Sequence, residues 1–288
     1  MENSTSGVTL PQQIVEVNMQ AAVAKTRLPL GRMILLGIFA GMFIAGGGAA
    51  SSVAMHSIDN VGLSRLLGGC IFPVGLMMIV FIGGELFTGD CLMIMACIHK
   101  KISVPAMLKV LLVVYLSNLV GAAALAFLVS ASGQFGYTGG LLGAYTIKVA
   151  AGKVGLSFGT AVSSGILCNI FVCAAVLMAA AAKDIAGKVW AIFFPIMAFV
   201  VSGYEHCVAN MYYIPAAIFA KSNPAYVEKA ISAYGLTQAQ IDSVNWGSFL
   251  LKSALPVTLG NVLGGMVFVG IILYFIHAKN IRAASTTG

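Results

Sequence analysis

Long apolar runs divide the chain into segments that are hydrophobic enough to cross a lipid bilayer. Four of them carry no charged residue: 33–55, the first part of 110–147, 154–182 and 253–276. A membrane helix needs about 20 apolar residues to cross roughly 30 Å of hydrocarbon. These runs are apolar all round and lack the polar face of a helix on a soluble domain, so each of them predicts a transmembrane helix.

Two further runs are too long for one straight helix. Runs 66–98 and 189–220 would each extend about 50 Å at about 1.5 Å per residue, which exceeds the thickness of a bilayer with its headgroups. In the first run Glu85 follows a pair of glycines, and in the second Glu205 lies two residues after Gly203. Because glycine leaves helical geometry at low cost, we predict a break at each place. The chain is therefore expected to have six spans, the second and fifth of them discontinuous.

Composition supports a membrane protein and excludes other classes. Hydrophobic residues make up 59% of the 288 residues and charged residues only 9%, whereas a typical globular chain devotes about a quarter to charge. The net charge of +7 comes from scattered basic residues that form no basic, aromatic-rich patch, so no nucleic-acid partner is expected. The six cysteines lie in apolar stretches as small hydrophobes, and no metal or cofactor motif is present.

The distribution of basic residues predicts the orientation. If both termini are cytoplasmic, the inner side carries ten Lys and Arg residues against six outside, as the positive-inside rule requires. The inner set is Lys25, Arg27, Arg32, Lys100, Lys101, Lys109, Lys183, Lys188, Lys279 and Arg282. We therefore expect a multi-pass protein of the inner (plasma) membrane with both termini in the cytoplasm.

The first 28 residues differ from the rest of the chain. They lack the basic start, short apolar core and cleavage site of a signal peptide. Helical spacing of small apolar residues predicts a short amphipathic helix on the inner membrane surface or beneath the path, and a plain lead-in helix fits equally well. These residues are Ile14, Val17, Ala21 and Ala24. The expected organisation is an N-terminal segment (1–28), a channel domain (29–277) and a short cytoplasmic tail (278–288).

The two halves of the chain repeat each other. A Phe-Pro pair (72–73 and 194–195) precedes each acidic residue, and Asn-Leu-Val-Gly at 118–121 matches Asn-Val-Leu-Gly at 261–264. The segment 221–246 is then an insertion in the second copy. Three spans per copy force the copies into opposite orientations, which makes an inverted repeat. Interrupted helices at matching positions indicate a transport site near the middle of the bilayer.

Several motifs together resemble the formate/nitrite transporter family over about residues 10–277. They are Gly-Glu-Leu-Phe-Thr-Gly at 84–89, Cys-Asn at 168–169 with Val-Cys at 172–173, Ser-Gly-Tyr-Glu-His at 202–206 with Ala-Asn-Met at 209–211, and Pro-Val-Thr-Leu-Gly-Asn at 256–261. The resemblance implies an all-α, aquaporin-like protomer in a 3+3 inverted repeat. It also implies a homopentamer with one path per protomer for small monovalent anions such as formate, nitrite or hydrosulfide. The paired Asn-Pro-Ala motifs of aquaporins are absent, which disfavours a water channel.

The resemblance further implies that Thr88 and His206 lie on the two broken loops and face each other across a narrow path. An imidazole there can hydrogen-bond the anion, protonate it, or stay neutral as a donor. A hydroxyl can bond a passing oxygen without holding it by charge. Structural roles remain as alternatives: His206 bonded to the broken backbone, and Thr88 as the N-cap of the second half-helix.

Charged and amide residues near the path complete the candidate site. Lys153 lies 16 residues before Asn169, the spacing of a funnel lysine in the family, where a cation would concentrate anions. Lys148 competes for that role. Asn169 is expected either to donate a hydrogen bond toward the path or to make an ordinary interhelical contact. Glu85 and Glu205 have the wrong sign for an anion path, so we interpret them as structural loop residues that accept bonds from loop amides or neighbouring helices.

Apolar residues are expected to constrict the path above and below the histidine. The resemblance implies this role for Phe72, Leu76, Leu86, Phe87 and Phe199, although any apolar residue in a membrane protein can serve packing alone.

The predicted function is a passive or proton-linked channel for small anions, formate foremost, with a dedicated nitrite or hydrosulfide channel as the alternative. An intramembrane enzyme would need a nucleophile with its base or a set of metal ligands, and the sequence contains neither. A membrane scaffold would give no reason for two matched broken helices.

Overall fold

The computed structural model describes residues 8–278, and helices account for most of them. Six helices are long and apolar enough to span a membrane, which confirms the predicted number of spans. In chain order the elements are α1 (Pro11–Thr26), α2 (Leu30–Met55), α3 (Val61–Ile82), α4 (Phe87–Ile98), α5 (Val104–Ala131), α6 (Tyr137–Val154), α7 (Phe158–Ala181), α8 (Ile185–Ser202), α9 (Cys207–Ala220), α10 (Pro224–Tyr234), α11 (Gln238–Asp242) and α12 (Trp246–His277). The spans are α2, α3, α5, α7, α8 and α12.

Polar residues at the starts of the spans explain where these helices begin. Asn60 accepts a hydrogen bond from the backbone N–H of Leu63 at the start of α3. Ser103 accepts one from Ala106 at the start of α5, and Asp184 accepts one from Gly187 at the start of α8. Such N-caps satisfy amides that have no partner in the first helical turn. The long apolar run 110–147 proves to contain the end of α5 and the start of α6, which is a separate helix.

Both predicted breaks are present. α3 stops at Ile82 and α4 starts at Phe87, while α8 stops at Ser202 and α9 starts at Cys207. The residue after each first half is a glycine with positive φ, +107° at 83 and +74° at 203. A side chain at such a φ is strained, so glycine is the residue that can end the helix there.

The inverted repeat contains one more helix per copy than the sequence suggested. Lys25, at the end of α1, lies five residues before α2, and Lys153, at the end of α6, lies five residues before α7. The spans α2 and α5 cross closely in one copy, where a Cβ on Gly41 would lie 2.1 Å from the carbonyl oxygen of Asn118. The spans α7 and α12 cross in the same way in the other copy. The predicted insertion after α9 contains α10 and α11, which pack on α6.

The Phe-Pro match between the two halves is out of register. Phe72 lies 13 residues before Glu85, whereas Phe194 lies 11 residues before Glu205. Two residues turn a helix by about 200°, which places the two rings on opposite faces. Phe72 is therefore 3% exposed and Phe194 is 59% exposed.

The N-terminal helix α1 is present, but its buried face differs from the predicted one. Val15, Met19 and Ala22 are buried, whereas Val17, predicted to lie on the apolar face, is exposed. The reason is that α1 packs against α4, α7 and the end of α12, so contacts within the protein select the buried stripe. Residues 1–7 and nearly all of the predicted tail, with Lys279 and Arg282, lie outside the described residues.

Candidate functional site

Each broken loop is held by one buried asparagine. Asn118, on α5, donates its amide hydrogens to the carbonyl oxygens of Gly37 (2.8 Å) and Glu85 (2.9 Å). Its Oδ1 accepts a hydrogen bond from the backbone N–H of Phe87 at 3.0 Å. The side chain thus joins α2, the loop and the start of α4. Backbone groups at membrane depth need such partners because no water is available to them.

Asn261, on α12, makes the equivalent bonds in the second copy. It donates to the carbonyl oxygens of Gly165 (2.8 Å) and Glu205 (3.0 Å). Its Oδ1 accepts from the backbone N–H of Cys207 at 2.9 Å. The sequence showed both asparagines as markers of the repeat but not as loop anchors. The available signal was an amide side chain at matching positions inside two charge-free spans.

His206 caps the second half-helix, α9. Its Nδ1 accepts hydrogen bonds from the backbone N–H groups of Val208 (3.1 Å) and Ala209 (3.2 Å). A nitrogen that accepts from two amides carries no proton, so this network assigns the imidazole hydrogen to Nε2. Nε2 lies 3.2 Å from Oγ1 of Thr88. The imidazole is therefore neutral, and its N–H points toward the other broken loop.

Thr88 lies opposite His206, and Asn169 packs behind it on α7. Thr88 is fully buried, and its hydroxyl meets His206, as the resemblance implied. It does not cap α4, because Leu86 occupies that position. Asn169 donates its amide hydrogens to the carbonyl oxygens of Thr88 (3.2 Å) and Asn261 (2.6 Å). Both amide hydrogens are thus used in contacts with backbone carbonyls, which is the second of the two roles expected for Asn169.

A small chamber lies between the two broken loops. Its volume is about 10 Å³, and its lining includes His206 with two apolar pairs, Phe72 with Phe199 on one side and Leu76 with Leu86 on the other. The two phenylalanine rings meet edge to face, with 5.6 Å between centroids. A cavity needs roughly 10–15 Å³ to hold one water. The path is therefore closed at its centre, and a larger species can pass only if these side chains move.

Phe87 does not belong to this constriction. Its ring packs edge-on against Tyr115 of α5, with 4.9 Å between centroids. Leu86 has extended backbone geometry, and successive side chains on extended backbone point to opposite sides. Since Leu86 faces the chamber, Phe87 faces away from it.

Two vestibules lead to the chamber. We name them by their lysines. The Lys153 vestibule has a volume of about 170 Å³ and shares Phe72, Phe199 and His206 with the chamber. The Lys25 vestibule has a volume of about 460 Å³ and shares Leu76 and Leu86 with it. Together the three cavities mark one path through the protomer, interrupted on each side of the chamber by an apolar pair.

Both loop glutamates bind lysines. Lys153 Nζ lies 3.0 Å from both carboxylate oxygens of Glu205, which also accepts a hydrogen bond from Asn210 at 2.6 Å. Glu85 pairs in the same way with Lys25 of α1. The glutamates thus fasten the loops to α6 and α1, the helices that precede the first span of each copy.

The Lys25 vestibule contains a second acidic residue, for which the sequence predicted no role. Asp90 is buried and pairs with Lys25, which therefore faces two carboxylates. Burial on its own would lower the pKa of Lys25, but Asp90 and Glu85 beside it raise that pKa above its usual range and keep the lysine charged. The corresponding residue of the second loop, five positions after its glutamate, is Asn210.

Comparison with known proteins agrees with this architecture. The family model described as formate/nitrite transporter matches residues 12–275. An uncharacterized transporter of Bacillus subtilis, YrhG, is 38% identical over 95% of each chain. The formate channel FocA of Haemophilus influenzae is 37% identical over 73% of each chain.

Solved structures are also similar. A pentameric formate channel with formate bound superposes with a TM-score of 0.77 at 34% identity, covering 86% of this chain and 98% of that one. The family match spans nearly the whole chain, and the structure has the six spans and two broken helices that the apolar runs and their glycines predict. The chain belongs to the formate/nitrite transporter family.

Proposed function

We propose that this chain is a channel for small monovalent anions and that formate is its main substrate. We also propose that it works as a homopentamer with one path per protomer. The observation that carries the proposal is the chamber at which His206 and the two apolar pairs meet, between vestibules on both sides. Support also comes from relatives that are named formate channels and from a solved neighbour that is a pentamer with formate bound.

The central step is hydrogen bonding of the anion at the chamber. An unpaired charge in an apolar constriction costs many kcal/mol. His206 lines the chamber, and its Nε2 lies 3.2 Å from the hydroxyl oxygen of Thr88. Either group can donate to an oxygen of formate once the rings of Phe72 and Phe199 move apart. These donors replace part of the water that the anion loses, and neither carries a charge that would trap it.

The hydrogen bonds of His206 favour donation over proton transfer. To give a proton to formate, the imidazole would first have to become an imidazolium with a second proton at Nδ1, because loss of the Nε2 proton from the neutral ring would leave an imidazolate. Nδ1 already accepts two backbone N–H groups, so a proton there would break the cap of α9. We therefore propose that formate crosses mainly as an anion, while transport of the protonated acid remains the alternative.

Orientation follows from the basic residues. We propose that the chain lies in the inner membrane with both termini in the cytoplasm. The Lys25 vestibule then opens inward and the Lys153 vestibule outward. Nitrite and hydrosulfide also accept hydrogen bonds and carry one negative charge, so the same path suits them.

Flux measurements on purified protein in liposomes test the proposal. Formate, nitrite and hydrosulfide should be compared at equal gradients, with simultaneous recording of current and internal pH. We expect formate flux above that of protein-free liposomes, accompanied by current. Proton movement equal to the formate flux, without current, would instead favour transport of the acid. Absence of flux for all three anions would contradict the channel function and favour a scaffold or an enzyme.

A further inference from the structure

The path continues beyond the Lys153 vestibule into a wider cavity. This approach cavity has a volume of about 610 Å³, and its lining includes His56, Asp59, Lys148 and Tyr234. It shares four residues with the vestibule: Met55, Arg65, Tyr145 and Val149. Arg65 is the charged member of this shared set. An anion that moves from the approach cavity to the chamber therefore passes the guanidinium group of Arg65.

The cationic side chains on this side of the protein differ in whether a neighbouring carboxylate neutralises them. Lys153 is neutralised by Glu205, with both oxygens at 3.0 Å. Lys148 is exposed, and its Nζ lies 4.4 Å from the centre of the Tyr234 ring. Arg65 forms no ion pair among the described residues, and its Nη1 donates one hydrogen bond, to the carbonyl oxygen of Val201 at 3.3 Å. Most of its N–H groups remain available to a ligand.

The broken loop holds this guanidinium in place. Val201 lies in the last turn of α8, where helix carbonyls attract cations. A Cβ on Gly203 would lie 2.9 Å from Nη1 of Arg65, so the glycine that ends α8 also leaves room for the arginine. Arg65 and Phe72 are seven residues apart at the start of α3, which places them on one face at about 10 Å along the axis. The guanidinium thus lies about two turns from the Phe72 constriction.

We propose that Arg65 receives the anion at the Lys153 vestibule and favours anions with two oxygens, such as formate and nitrite, over hydrosulfide. A guanidinium presents parallel N–H groups that bind two oxygens side by side, whereas an ammonium acts as a point charge. The inference rests on the proposed channel function and assigns its selectivity for oxyanions to Arg65, a residue outside the central loops.

Three variants test this role: Arg65→Gln, Arg65→Lys and the control Lys252→Gln, at an exposed lysine that lines neither the vestibule nor the approach cavity. Loss of the charged fork at Arg65 should raise the half-saturating formate concentration roughly tenfold, with the maximal flux changed less than about twofold because the chamber is untouched. Arg65→Lys keeps the charge but loses the fork, so its ratio of formate to hydrosulfide flux should fall. Lys252→Gln should change either quantity by less than about twofold.

Other outcomes would overturn the assignment. An unchanged half-saturating concentration in Arg65→Gln would contradict it, and so would an equal increase in Lys252→Gln. A wild-type selectivity ratio in Arg65→Lys would contradict the role of the fork. Since wild-type flux is measured in the same preparations, failure of the channel function itself would appear as absent flux in every sample. Size-exclusion chromatography of each variant checks that the oligomer is intact.

Discussion

Asn261 holds the loop that carries His206 through three buried hydrogen bonds. Replacing Asn261 by Leu keeps the approximate volume and removes three hydrogen bonds: two to carbonyl oxygens and one from the backbone N–H of Cys207. All of these groups are buried, and the bilayer supplies no water to replace the lost partner. We expect a large loss of stability together with a loosened chamber.

The magnitude can be bounded from the contacts. Interhelical hydrogen bonds in membranes contribute about 0.6 kcal/mol each on average, which gives about 2 kcal/mol for three bonds. Each buried group left without a partner costs about 1–3 kcal/mol, which sets a higher limit. With three such groups, we therefore expect Asn261→Leu to lower the free energy of unfolding by about 2–9 kcal/mol.

An SDS titration in mixed micelles measures this difference. Asn118→Leu is the matched variant, because it removes the same three bonds from the other loop, and it should lose a similar amount. Ser117→Ala is the neutral control, since the Ser117 hydroxyl bonds only within its own helix; we expect a change below about 0.5 kcal/mol.

Asn261→Asp separates hydrogen bonding from packing. The aspartate keeps an acceptor for the Cys207 amide. It places an oxygen, which cannot donate, where the asparagine NH2 group was, so the carbonyl oxygens of Gly165 and Glu205 lose their donor. It should therefore be at least as destabilising as Asn261→Leu. If the leucine variant loses less than about 0.5 kcal/mol, or if the aspartate variant is the more stable of the two, the anchoring role is wrong.

Further predictions concern the path and its orientation. His206→Phe should abolish formate flux while the oligomer stays intact, whereas His206→Asn should keep a current, because an amide also donates a hydrogen bond and can cap the helix; unchanged flux in the phenylalanine variant would refute the central role. Lys153→Glu should reduce formate flux far more than Lys148→Glu, and raised salt should not restore the flux, since buried charges are screened weakly. Equal reductions in the two variants would contradict the role of Lys153. Asp90→Asn should raise anion uptake from the Lys25 vestibule about threefold at low salt by removing one negative charge, and reduced uptake would disprove this. A cysteine at Ser4, outside the described residues, should resist labelling from outside intact cells; ready labelling would reverse the orientation.

The spans and the breaks could be predicted because each depends on a local property of the chain. The number of consecutive apolar residues fixes the spans, and Gly83 and Gly203 beside acidic residues fix the two breaks. The pairing of the glutamates could not be predicted in this way. Lys153 and Glu205 are 52 residues apart, and only the packing of α6 beside the second loop brings them together.

Side-chain direction was the other property that the sequence left undetermined. Leu86 and Phe87 are adjacent and both apolar, yet one faces the chamber and the other faces Tyr115. The same problem affected α1, where Val17 fits an apolar stripe but is exposed beside the buried Val15. Hydrophobicity gives the depth of such residues in the membrane, and contacts with neighbouring helices determine which face they occupy.

The two broken loops share a frame and differ in their chemistry. Leu86 and His206 occupy equivalent positions with nearly the same backbone angles, φ −111° and ψ 120° for the leucine and φ −112° and ψ 117° for the histidine. An asparagine anchors each loop and a lysine pairs with each loop glutamate, so neither role requires a particular side chain at 86 or 206. The frame therefore leaves this position free to serve the path. Leucine closes the chamber on one side, and histidine caps its helix and, in the proposed function, donates a single N–H to the anion.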